Sequence, residues 1–177
     1  MLRTGLSLLK PILDASHKRD RKASPPNSDC LPGTREEVIE EIVAWAMRSF
    51  LLDPQHILWI FGYAGCGKSA IAQAVAKALE AADQLGASFF FFRGAGDRSK
   101  IGRLIQTIAS QIAVSITGTA QHIQAALDAV PGLLDPTTPL AVQFQLLVYD
   151  PIRAVAGKRS GVWNPFVILI DGFDECE

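Results

Sequence analysis

Eight residues, Gly62-Tyr-Ala-Gly-Cys-Gly-Lys-Ser69, spell G-x-x-x-x-G-K-[ST], the pattern of a backbone loop that wraps phosphate. The residue types follow from the ligand. A triphosphate needs many N–H donors aimed at one point, so the backbone must curl round it. Gly62, Gly65 and Gly67 permit positive φ angles and a close approach that side chains would block. Lys68 carries a mobile charge to the outer phosphates, and Ser69 offers a hydroxyl to Mg²⁺. A second stretch, Phe166-Val-Ile-Leu-Ile-Asp171, runs an apolar strand into an acid. A carboxylate at that strand end could hold Mg²⁺, through water. Asp174 and Glu175 follow just beyond, and one of them could orient an attacking water. The residues leave open which one. A glycine-rich turn with a chance lysine would explain the first stretch alone. A strand-terminal turn residue would explain Asp171 alone. Neither explains the pair.

The remaining elements must position these two stretches. Ile57–Phe61 reads as a short buried strand that delivers the chain into the loop. Helix Ser69–Ala82 leaves it, and its N-terminal dipole adds to the anion site. Ile71, Val75, Ala78 and Leu79 form its buried stripe. Before them, Thr34 and Glu37 fit a capping box, and Val38, Ile39, Ile42, Val43, Ala46 and Phe50 share one helical face. That helix should end before Asp53-Pro54. Leu85-Gly86 reads as the end of the loop-borne helix. Ser88–Phe92 then follows as a continuous apolar strand, the pattern of a parallel sheet covered on both faces. Arg93, Asp97 and Arg98 lie at its C-terminal end, where open α/β sheets bind ligands. A solvated polar loop explains them equally well. Helices are expected at Ile101–Ile112, Thr119–Val130 and around Leu140–Val148, the last bent or ended by Pro151. Gly157 to Asn164 is a polar connection, and Phe166–Ile170 is the last strand. The three strands should be parallel, because helices separate them.

Composition narrows the class. Of 177 residues 49% are hydrophobic, which excludes a disordered chain, and a formal net charge of -1 gives no bulk attraction to nucleic acid or membrane. No apolar run is long enough to span a bilayer. Cys30, Cys66 and Cys176 are scattered without zinc spacing, which fits a reduced, cytoplasmic protein. His17, His56 and His122 have no ligand spacing and read as surface or boundary residues. Residues 1–29 read as an extension or linker without structure, with a basic run from His17 to Lys22 and a Ser-Pro-Pro-Asn-Ser stretch. Its first residues could be a weak presequence or a short amphipathic segment. The folded unit is expected over 30–177.

Together these stretches resemble the NACHT-type signal-transduction NTPases of the STAND class, in particular fungal NOD-like proteins with a nephrocystin 3-like N-terminal domain. The matching residues are Cys30-Leu-Pro-Gly-Thr-Arg35, the loop Gly62–Ser69, Phe89–Arg98, Thr107–Ile112 and Ile170-Asp-Gly-Phe-Asp-Glu-Cys176. The acid pattern D-G-F-D-E is the specific mark. The resemblance implies a P-loop NTPase fold, a three-layer αβα sandwich with a parallel sheet in order 5-1-4-3-2. Further strands, helical domains and repeats would lie beyond Glu177, so the chain is expected to be a truncated or incomplete version. It further implies a nucleotide site made by Gly62, Tyr63, Ala64, Gly65, Cys66, Gly67, Lys68, Ser69 and Ala70, joined by Thr34 and Arg35. Ser69 and Asp171 would bind Mg²⁺. Lys68, Asp174 and Glu175 would serve catalysis.

The expected function is a switch domain that binds ATP, or GTP, with Mg²⁺, hydrolyses it slowly and self-associates or engages signalling partners. Nucleic acid and membrane are not expected partners. Two other classes compete. A small-molecule P-loop kinase needs an arginine lid, for which Arg93 and Arg98 are the candidates. A degenerate interaction module needs no working site, and the intact Gly67-Lys68-Ser69 and Asp171 speak against it. A signalling GTPase would carry an Asn/Thr-Lys-x-Asp motif, which is absent from the sequence.

Overall fold

The computed structural model describes residues 5–20, 22–24, 30–31, 33–48, 56–156 and 166–177. The element order is mixed α/β: α1 (Glu36–Arg48), α2 (Lys68–Ala81), β1 (Leu85–Phe90), α3 (Leu104–Ser115), α4 (Thr119–Ala129), α5 (Leu140–Phe144), α6 (Asp150–Ala156) and β2 (Val167–Asp171). Phe50, Asp53-Pro54, the connection 157–164 and the stretch 25–28 lie outside the described residues.

β1 and β2 form a small parallel sheet, with Phe89 opposite Ile170 and Phe90 opposite Asp171. Alternation along a strand sends successive side chains to opposite faces. Ala87, Phe89 and Phe91 pack with α3 through Leu104, Ile105, Ile108 and Ile112. Leu85, Val167 and Leu169 pack instead against Ile71, Val75 and Leu79 of α2, with α1 joining through Ala46, Ile39 and Ile42. Helices thus cover both faces, which is why Phe89, Phe90 and Phe91 are all buried. Each large side chain so buried contributes about 1.5–3 kcal/mol.

The sheet differs from expectation at its centre. The strand expected over Ile57–Phe61 is not one. No backbone hydrogen bond joins it to any described segment, and Ile57, Trp59 and Phe61 are 82%, 68% and 84% exposed. A strand exists only through a paired neighbour, and among the described residues neither β1 nor β2 pairs with 57–61. β1 itself starts earlier than expected, at Leu85. The chain reverses before that point through Asp83, whose φ is +53°.

The expected capping box is also replaced. The Thr34 hydroxyl donates to the Leu31 carbonyl at 2.6 Å, and Arg35, at φ +65°, leads into α1 instead. Pro151 neither ends nor sharply breaks its helix. The chain runs from α5 through a π turn, Gln145–Tyr149, into α6. Proline has no N–H and crowds the carbonyl four residues back, and the wider turn accommodates both.

The N-terminal segment is the largest correction. Residues 5–20, expected to be an unstructured extension, are built into the core. Leu9, Ile12 and Ala15 are buried with α3 and α4, and Leu6 packs beside them. The Ile12 N–H donates to Thr107 Oγ1 at 3.0 Å, and the Leu6 N–H donates to Gln124 Oε1 at 2.9 Å. The apolar residues recur every third position, the period of the two 3₁₀ turns at Gly5–Leu8 and Leu13–Ala15.

Candidate phosphate and metal site

The loop Gly62–Ser69 turns where its glycines allow. Gly65 and Gly67 hold φ of +77° and +96°, and Gly67 caps the start of α2. Gly62 lies outside that region, contrary to the expected positive φ. A Cβ there would stand 2.9 Å from Cys66 Sγ, so it is small for the sake of contact. Lys68 folds back on its own loop and donates to the carbonyls of Gly62 and Tyr63 at 2.9 and 3.1 Å. Those two bonds are what a phosphate would have to replace. Tyr63 is 91% exposed, and Ala64 and Gly65 are exposed beside it, while Ala70 is half-buried in the first turn of α2.

Arg35 reaches this loop from the start of α1, its Nη2 donating to the Cys66 carbonyl at 2.9 Å. A non-glycine residue at positive φ is costly and tends to be held for a local purpose. Here the purpose is that contact. Thr34 is turned to Leu31, so of the two residues only Arg35 touches the loop.

β2 brings Asp171 to the same place. The Ser69 hydroxyl acts on the Asp171 carboxylate and favours its charged form. Asp171 is only 7% exposed, and its Oδ2 is buried with no hydrogen-bond partner among the described residues. Burial pushes this carboxyl above the usual aspartate range. The Ser69 hydroxyl and the Arg19 charge pull it down, and the nearby Glu175 pushes it up. A buried carboxylate oxygen without a partner is costly, and a hard cation would satisfy it. Mg²⁺ accepts one or two protein oxygens and takes the rest from phosphate and water. The Ser69–Asp171 pair therefore fits it, although no cluster of three or more His, Cys, Asp or Glu stands among the described residues.

Gly172 fixes the exit from β2. It sits at φ +68°, and a Cβ there would stand 3.0 Å from the Phe91 carbonyl oxygen. Beyond it, Glu175 Oε2 accepts from the Arg93 N–H at 3.0 Å, and Arg93 Nη2 donates to the Asp174 carbonyl at 3.3 Å. Glu177 joins through the Gly94 N–H and the Ser99 hydroxyl. Glu175 is thus committed to the loop after β1. The Asp174 side chain is exposed beside it.

The other arginine of that loop is internal. Arg98 is 1% exposed, and its Nε and Nη2 donate to the Phe90 carbonyl at 3.2 and 3.1 Å. Burial lowers its proton affinity, while Asp14 and Glu175 restore part of it. Asp97 pairs with Arg103. Of the expected loop candidates only Arg93 faces the acids after β2.

Sequence reading missed two residues beside the site. His17 places its N–H and Nδ1 on Ser88 Oγ and its Nε2 2.9 Å from Glu80 Oε2. Arg19 stacks its guanidinium 4.1 Å from the centroid of the Phe90 ring. The three-residue apolar period ahead of them was the available signal.

A model of the nephrocystin 3 N-terminal family matches residues 33–177. The chain belongs to that family. No curated protein and no solved structure matches it. The family match spans α1, the loop, both strands and the acids Asp171, Asp174 and Glu175, while the packed segment 5–20 precedes it.

Proposed function

We propose that this chain is the nucleotide-binding part of a NACHT-type P-loop switch, in a cytoplasmic setting. It takes a nucleoside triphosphate, ATP or GTP, with Mg²⁺ and hydrolyses it slowly. The exchange of diphosphate for triphosphate biases self-association or partner binding. The observation that carries this reading is the buried, unpartnered Oδ2 of Asp171, set at the end of β2 where the Ser69 hydroxyl favours its charged form.

The division of labour follows from position. The loop N–H groups and the start of α2 would bind the phosphates. Lys68 would exchange the carbonyls of Gly62 and Tyr63 for the outer phosphate oxygens. Ser69 and Asp171 would hold Mg²⁺, which supplies charge neutralisation on those oxygens when bound. In hydrolysis a water oxygen bonds to the γ-phosphorus and the bond to the bridging oxygen breaks. Asp174, held to the Arg93 loop through its carbonyl but with its side chain exposed, would orient that water. Glu175 would hold the loop in place. Arg98 is tied to the Phe90 carbonyl, which disfavours the arginine lid that a small-molecule kinase would need.

Equilibrium binding of fluorescent ATP and GTP analogues, with and without Mg²⁺, tests this reading. Saturable binding by the wild type and none by Lys68→Ala is expected. Equal binding by both proteins would overturn it.

A further inference from the structure

We propose that Arg19 is an internal stand-in for the metal's charge, so that docking of the His17–Arg19 strap and binding of Mg²⁺ at Asp171 oppose each other. The inference rests on the phosphate-site reading above and goes beyond it. It assigns a role in that site to a segment that precedes the family match.

The geometry is specific. Phe90 and Asp171 are register partners on adjacent strands, so their side chains leave the same sheet face about 4.8 Å apart along the pairing direction. Arg19 lies over Phe90, with its Cζ 4.1 Å from the ring centroid and only 6% of the residue exposed. Its Nη1 donates to Gln73 Oε1 at 3.2 Å and to the Ser16 carbonyl at 3.1 Å. Gln73 is one helical turn beyond Ser69 on α2, and its Nε2 donates back to the His17 carbonyl at 2.8 Å. One helix face therefore holds Ser69, which acts on the Asp171 carboxylate, and Gln73, which clamps Arg19. The Arg19 charge acts on the Asp171 carboxylate.

The consequence is electrostatic. A fixed guanidinium one strand from Asp171 favours that carboxylate when no metal is present. It repels a divalent cation placed on the same carboxylate, in a site too buried for water to screen fully. It attracts phosphate. Arg19 should thus weaken Mg²⁺ without weakening metal-free nucleotide. By reciprocity, Mg²⁺ should loosen the strap at His17–Arg19. The strap need not leave as a whole, because Leu9, Ile12 and Ala15 keep its first half in the core.

The test titrates Mg²⁺ into the full chain saturated with ADP. Arg19→Met should lower the half-saturating Mg²⁺ concentration by roughly five- to fiftyfold. ADP affinity in EDTA should stay equal or fall. Lys18→Met removes the same charge one residue away, from a side chain paired with Glu80, and should leave the Mg²⁺ midpoint unmoved. A folded Arg19→Met protein with the wild-type midpoint would overturn the proposal. Should that variant fail to fold, hydrogen exchange on the wild type decides. Faster exchange at the His17 and Arg19 amides in Mg²⁺-ADP than in ADP with EDTA supports the antagonism, and equal rates defeat it. A wild-type chain that binds no nucleotide would sink the phosphate-site reading and this inference together. Binding with an unmoved midpoint sinks this inference alone.

Discussion

The Ser69 hydroxyl, in the first turn of α2, acts on the carboxylate of Asp171, the last residue of β2, and favours its charged form. This relationship is the point where two stretches far apart in sequence become one site. Much of the expected chemistry turns on it.

Lys68→Ala should abolish nucleotide binding and leave the melting temperature close to wild type. Among the described residues the ammonium bonds to carbonyls of its own exposed loop, so little packing depends on it. Titration calorimetry with ATP alongside a thermal melt checks both halves. Retained affinity would remove the lysine from the site.

Asp171→Asn separates stability from function. Burial holds the Asp171 carboxyl above its ordinary value of 3.8. The folded state therefore binds this proton more readily than the unfolded state does. Its contribution to stability is full at low pH and declines as pH rises from the ordinary aspartate value through the raised folded one. Above its raised folded value the buried group is charged, a burden that the amide removes. The variant should gain on the order of 1 kcal/mol at pH 7, show a flatter stability profile in acid, and lose Mg²⁺-dependent binding. Urea melts between pH 4 and 8 read the first two effects. A loss of stability at pH 7 would contradict the account.

The two later acids should part company. Asp174→Asn should slow triphosphate hydrolysis with stability and binding unchanged. Glu175→Gln should lower stability as well, by roughly 1–2 kcal/mol, because a charge-assisted bond to the Arg93 N–H is weakened. Turnover measurements paired with melts distinguish them, and equal effects of the two amides on both readouts would refute the assignment.

Cys66 Sγ lies where a side chain on Gly62 would have to go. Alkylation of Cys66 should therefore block nucleotide binding by crowding the loop, and bound nucleotide should protect the thiol. Gly62→Ala should weaken binding by the same collision, and Cys66→Ala should recover part of that loss. Identical alkylation rates with and without nucleotide would show that the thiol is remote from the bound ligand.

The N-terminal segment is expected to behave as core. Ile12→Ala should cost about 2–4 kcal/mol, since Ile12 is 8% exposed and packed with α3 and α4. A cost near zero would mean that the segment does not dock in solution.

The parts legible in the sequence were those with a strong local period. Ile71, Val75 and Leu79 mark α2, and Ile105, Ile108 and Ile112 mark α3, each near its expected bounds. The Asp171 strand was legible because five apolar residues end on one acid. Ile57–Phe61 carries the same apolar signal, but pairing is a long-range property that composition does not encode. The strap was missed for the opposite reason. Leu6, Leu9, Ile12 and Ala15 repeat every three residues, a spacing easily overlooked beside Lys10, Pro11 and the basic run after it. Arg19 and Gln73 meet only through tertiary structure, and neither stands in a motif. The loop spelling marked the turns at Gly65 and Gly67 and the start of α2, yet it did not show that Lys68 would bond to its own loop or that Glu175 would be spent on Arg93.

Among the described residues, no segment pairs with Ile57–Phe61, which leads straight into the loop Gly62–Ser69; the loop is tethered on one side by α2 and on the other by a stretch that none of the described segments holds in register. Observed affinity is then the intrinsic affinity scaled by the fraction of molecules whose loop is already shaped for phosphate. Any strand that paired with 57–61 would raise that fraction without touching the nucleotide. Bound nucleotide would in turn make 57–61 a better template for pairing. Affinity that climbs with protein concentration would reveal such coupling, and affinity independent of concentration would exclude it between copies of this chain. In that economy of populations the exposed row Ile-Leu-Trp-Ile-Phe sets the sensitivity of the site.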